Sequence, residues 1–270
     1  MNEKDRINER VKKMISNKKK LVLVYCSLVL VKIVLATLIN SPTIFGDEYL
    51  YAKAARSLFN EGVLTVHNLY LSSYPPLYSL ILAPAYMFKD MEMVYMIMKV
   101  INALLSSLII IPAYLLWREF FDEKKSVQGA LLVGIMPLSV GIAPYLMAEN
   151  LFHTLFLFAM YFVLKSITTE ESYKHSIMAG VCIAMAFLTK FTGLIVLFFM
   201  GLVMVWFMIK KQFDQVKKAA VTIGVAIAIV GVWLVKSVGT KISNIKDMVD
   251  ITIIKNTESM PFQEVALIFI

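Results

Sequence analysis

The chain has 270 residues, 59% of them hydrophobic and 17% charged, with a mean hydropathy of +0.72. A soluble domain carries about 45–50% apolar and about 25% charged residues. Here residues 126–148, 191–209 and 219–235 contain no Asp, Glu, Lys or Arg, and a helix crossing the hydrocarbon takes about 20 mostly apolar residues. An ordinary soluble domain is excluded, and the sequence predicts an all-α, polytopic membrane protein. The net charge of +8 is unevenly spread, because eight of the 27 basic residues (Lys4, Arg6, Arg10, Lys12, Lys13, Lys18, Lys19 and Lys20) precede the first apolar run. A nucleic-acid binder would carry its charge on a folded face. A basic tail ahead of a span reads as a cytoplasmic anchor, so no nucleic-acid partner is expected. Cys26 and Cys182 lie in apolar runs without metal-ligand spacing and read as packing residues.

Taken in chain order and oriented by the Lys/Arg bias of the loops, the apolar runs make about seven transmembrane helices. The tail 1–20 is cytoplasmic, and 21–40 leaves the cytoplasm with Lys32 snorkelling or facing the bundle. Residues 97–117 return to Arg118 and Asp122-Glu123-Lys124-Lys125, 126–143 go out, and 151–168 come back to Lys165 and Lys174. Residues 176–190 go out, 191–209 return to Lys210 and Lys211, and 219–237 cross last. Residues 239–270 are then external, with an apolar end at Pro261–Ile270 that reads as cut off mid-segment.

Residues 75–88 are also apolar, but they suffice for only about 21 Å of helix. Counting them as a crossing would put Arg118 to Lys125 outside, so they are assigned to the interface. The first external loop then runs over 41–96. It opens on a turn and helix N-cap around Ser41–Glu48. A helix follows over 48–60, with Lys53, Arg56 and Asn60 on one face and Leu50, Ala54 and Leu58 on another. Gly62 is its stop, and such a helix would lie flat on the membrane.

Most acidic residues fall in cytoplasmic loops, which leaves Asp47, Glu48 and Glu149 at the outer edge. Two carboxylates from different loops at one depth could divide acid/base work or hold a divalent cation, with Asp47 and Glu149 as its ligands. The plainer alternative is that Asp47 caps a helix and Glu149 is a helix-start charge. Lys190, in a tight external turn, and Lys99, at the outer start of the second span, could meet a phosphate or simply snorkel. His153 shares a helical face with Glu149, four residues on, so a metal pair is conceivable, although a structural histidine is the commoner case. No phosphate-binding Gly-rich loop, dinucleotide fingerprint, H-E-x-x-H or nucleophile elbow is present.

The order Gly46-Asp47-Glu48-Tyr49-Leu50-Tyr51, Pro75-Pro76-Leu77-Tyr78, Lys99-Val100-Ile101-Asn102-Ala103-Leu104, Ala148-Glu149 and Leu188-Thr189-Lys190 resembles the GT-C glycosyltransferases. It is most similar to the branch of protein O-mannosyltransferases and the lipid A aminoarabinose transferase, over about residues 21–210. The resemblance implies inverting transfer of a sugar from a polyprenyl-phosphate donor at the outer face of the cell membrane. Asp47 would be the base or a cation ligand, with Glu48 beside it and Glu149 as the second acidic position. Lys190 and Lys99 would meet the donor phosphate. Members usually have more spans, so these seven correspond to the family's N-terminal module. The acceptor stays open among protein, lipid and glycan. The readings from other classes are a small transporter or flippase-like carrier, which predicts ionisable residues at mid-bilayer, and a non-catalytic module that needs a partner.

Overall fold

The computed structural model describes residues 3–39, 45–66, 69–70, 74–169 and 173–257. Helix α1 (Glu3–Thr37) carries the basic tail into the first span without a break. Helix α2 (Gly46–Glu61) lies within two residues of its predicted bounds. It stops where predicted: Gly62 takes φ +69°, and its N–H donates to the Leu58 carbonyl. That left-handed cap is cheap for glycine alone. A ribbon follows, β1 (Thr65–Val66) antiparallel to β2 (Leu69–Tyr70). Then comes α3 (Leu77–Leu82), prolonged by a 3-10 turn over Ala83–Met87.

Helices α4 (Met91–Ser107) and α5 (Ile110–Arg118) form one long apolar stretch with a bend between them. Pro112 has no N–H for the Leu108 carbonyl, which takes the Ile111 N–H instead at 2.9 Å. The run predicted as a third span is divided into α6 (Glu123–Ile135) and α7 (Pro137–Gly141). Met136 precedes a proline and sits at ψ 140°, outside the helical region, as the clash with the proline ring requires.

Four helices complete the chain: α8 (Glu149–Thr168), α9 (Lys174–Thr189), α10 (Leu194–Ile209) and α11 (Phe213–Thr257). Among the described residues, five helices are long and apolar enough to cross a membrane: Lys19–Thr37, Met91–Arg118, Glu149–Thr168, Phe191–Ile209 and Phe213–Ser237. Helix α9 is shorter, and it is enclosed by α8 and α11. Its small residues allow that: a Cβ on Gly180 would come within 2.6 Å of the Thr222 carbonyl. The predicted external segment 239–270 lies partly outside the described residues; as far as Thr257 it continues α11.

The segment predicted as the first external loop is more than a surface strap. Tyr51, Ala52 and Ala55 of α2 are buried with Tyr78 and Leu82 of α3, Val94 and Met98 of α4, and Leu146, Ala148 and Leu151. Burial of apolar area at about 25 cal/mol per Å² thus fixes α2 and α3 onto the end of the bundle. That end carries the candidate site.

Candidate active site at one end of the bundle

Helix α2 presents its two acidic residues differently. Phe45 is the N-cap, which places Glu48 at the third helical position. From there Glu48 reaches back to the Phe45 N–H at 3.1 Å and out to the Leu146 N–H at 2.8 Å. It is buried, and it latches the start of α2 to the segment before α8. Asp47 does not cap the helix. It is half-buried, and its Oδ1 accepts a 2.8 Å hydrogen bond from the Tyr74 hydroxyl.

Aromatic residues back this pair. Tyr51 meets Tyr74 and Tyr78 edge-on, with ring centroids 5.6 and 4.9 Å apart. Burial, and then the charges of Asp47, Glu149 and Tyr74, push the Tyr51 hydroxyl above its ordinary pKa. Burial and the bond to Asp47 push Tyr74 up to about 12, so it stays a donor over the whole working range of pH. Tyr78, held well above its ordinary value by burial, donates to Asn102 Oδ1 at 2.7 Å. Asn102 Nδ2 then donates to the Tyr145 carbonyl at 2.8 Å, and Asn150 Nδ2 reaches the same carbonyl at 3.0 Å. This chain of amides fixes the segment between α7 and α8 from both sides.

Glu149 opens α8, where the helix dipole favours a negative charge, and its carboxylate is ion-paired with Lys190. Lys190 ends α9 in extended conformation, φ −153° and ψ 136°, which turns its side chain back over the bundle end. Lys99 is placed elsewhere. Its ammonium donates to the carbonyls of Ala36 and Ile39, where a cation complements the C-terminus of α1. It also stands in the wall of an open cavity of about 650 Å³ with Asp90, Glu92 and Tyr95.

The structure thus pairs Glu149 with Lys190, bonds Asp47 to Tyr74, and sets Lys99 against α1. Among the described residues no three His, Cys, Asp or Glu side chains gather as a metal site. Mg²⁺ or Ca²⁺ takes six or more oxygens, so one held by Asp47 and Glu149 would be completed by substrate or water. The sequence reading missed Tyr74, Tyr51 and the amides of Asn102 and Asn150 as parts of the site. Tyr51 and Asn102 lie inside the motifs named above, but nothing in their spacing announces partners 23 to 43 residues away.

Compared with known proteins, residues 73–235 match the model of the family described as dolichyl-phosphate-mannose-protein mannosyltransferase, which is more than half of the chain. The matched segment includes Tyr74, Lys99, Glu149 and Lys190; Asp47 and Glu48 precede it. No curated protein matches the chain.

Proposed function

From the premise that the chain belongs to the dolichyl-phosphate-mannose-protein mannosyltransferase family, we propose that it transfers a sugar from a polyprenyl-phosphate donor to an acceptor hydroxyl. A membrane glycosyltransferase of the GT-C type is what the family implies. Asp47 is assigned the proton of the acceptor. As that O–H proton passes to the Asp47 carboxylate, the acceptor oxygen bonds to the anomeric carbon. On the opposite face the bond from that carbon to the phosphate oxygen breaks, and its electron pair leaves with the polyprenyl phosphate. Attack from one face and departure from the other invert the configuration.

The residues around Asp47 suit that role. Tyr74 donates to one carboxylate oxygen and leaves the other to take the proton. Glu48, already bonded to two backbone N–H groups, holds the helix on which Asp47 rides. Lys190 is the cation for the departing phosphate; Glu149 keeps its ammonium in place between turnovers. Lys99, on the wall of the large cavity, is the cation a phosphate would meet on entering there. The excess of basic residues on the tail and in alternate loops supports an N-terminus in the cytoplasm, seven crossings and a site on the outer face of the cell membrane. Donor lipid chains would be drawn from the bilayer. The acceptor class is left to experiment.

The observation that carries this reading is the Asp47 carboxylate held by Tyr74 on a helix that Glu48 latches to the segment before α8, with Glu149 at the start of α8 ion-paired to Lys190. The test is transfer in proteoliposomes from polyprenyl-phosphate mannose to a panel of peptide, lipid and glycan acceptors. Asp47→Asn is expected to lower turnover about 10²- to 10⁴-fold with the donor KM little changed. Undiminished turnover would remove Asp47 as the base.

A further inference from the structure

Lys32 has no part in the chemistry above, yet it lies inside the first apolar span with 0% of its surface exposed. A lysine inside a membrane bundle is expensive unless its charge is answered, and such residues mark functional sites. Its recorded partners are two neutral hydroxyls, Ser106 Oγ of α4 and Ser139 Oγ of α7, each at 3.1 Å. Both serines spend a lone pair on the ammonium, and each keeps its own proton to donate onward.

What lies onward is a small cavity among the helices. The same two serines line it, together with Glu149, Asn150, His153 and Thr154 of α8 and with Ile109 and Ile142. Its volume is about 10 Å³, the least that admits a single water. The wall also holds an orphan. Asn150 is 1% exposed, and its Oδ1 has no hydrogen-bond partner among the described residues, although its Nδ2 reaches three carbonyls. A buried acceptor left unpaired costs about 1–3 kcal/mol. A polar cavity with convergent donors and acceptors is where buried water is found.

We propose that this cavity binds one ordered water that joins Lys32 to Glu149, making Lys32 a positioning residue for the Glu149–Lys190 pair. The donors and acceptors balance. The water accepts from the Ser106 and Ser139 hydroxyls, then donates to Asn150 Oδ1 and to Glu149 Oε2, the oxygen other than the one Lys190 holds. Lys32 is then a second positive charge behind Glu149, delivered through hydroxyls. The opening turn of α8 is tied through it to α1, α4 and α7. His153 and Thr154, one turn along α8, are the other polar side chains of that helix in the cavity wall. The functional meaning of the link rests on the transferase reading; the link itself does not.

The test is a double-mutant cycle on the purified full-length chain in detergent, read by thermal unfolding of wild type, Lys32→Met, Glu149→Gln and the double variant. Lys32→Met strips a counter-charge from Glu149, so it should lower Tm less when Glu149 is already neutral, by about 3 °C or more. If Lys32→Met does not fold, Ser139→Ala crossed with Glu149→Gln removes one relay hydroxyl and should show the same sign of coupling. Additive shifts would overturn the link, as expected if Lys32 and its serines only fill space. The readout needs no activity. Coupling without sugar transfer would fail the transferase reading alone; transfer without coupling would fail the link alone.

Discussion

At Asp47 the deciding neighbour is a phenol. The Tyr74 hydroxyl donates to the carboxylate at 2.8 Å, and burial with that bond lifts Tyr74 from 10.0 to about 12. The folded chain therefore keeps a proton that the unfolded chain releases once pH passes 10. Stability linked to Tyr74 is complete below pH 10 and lost as pH rises from 10 to about 12. Melting temperature measured across that window should fall less steeply in Tyr74→Phe than in wild type, with Tyr51 and Tyr78 still contributing their own share. The acid residues themselves were legible in the sequence, because a D-E pair beside an apolar run stands out. Which of the two does what was not. Helical numbering from Phe45 as cap assigns the backbone contacts to Glu48 and frees Asp47, and only the fold sets where the helix begins. Lys99 illustrates the same limit: its partners, Ala36 and Ile39, are about 60 residues earlier.

Among elements, α2 behaves as a part held at both ends, by the Gly62 cap at one and Glu48 at the other. Glu48→Ala leaves the buried Leu146 N–H without an acceptor and removes a charge-assisted bond, a loss of about 1.5–3 kcal/mol. A lower melting temperature is expected together with impaired transfer, because Asp47 rides on the same first turn. Glu48→Gln, which keeps an acceptor oxygen, should recover most of the melting temperature; equal losses in the two variants would mean that packing, not the bond, is what counts. Most helices were readable from apolar length, and α2 from its glycine stop as well. The break at Met136–Pro137 was not, since hydropathy treats proline as one more apolar residue while the backbone loses a donor and a conformation there. The strands Thr65–Val66 and Leu69–Tyr70 are too short for a period-2 pattern to register.

For the whole molecule, the loop charges make a directional statement. Lys53 and Lys124 belong to opposite sides of the membrane in the proposed orientation. In a background of Cys26→Ala and Cys182→Ala, a membrane-impermeant maleimide should label Lys53→Cys on intact cells and Lys124→Cys only after permeabilisation. The opposite pattern would invert the topology and put the site in the cytoplasm.

The Glu48–Leu146 bond also has a history in time. Its two residues are 98 positions apart, and a ribosome adds about 5–20 residues per second. The acceptor is therefore synthesised roughly 5–20 s before its donor, at those rates. Through that interval the first loop, Asp47 included, waits unlatched. Closing so long a loop is also entropically late among the contacts of the fold. A nascent chain halted before residue 146 would carry the acidic pair but not the setting that directs it.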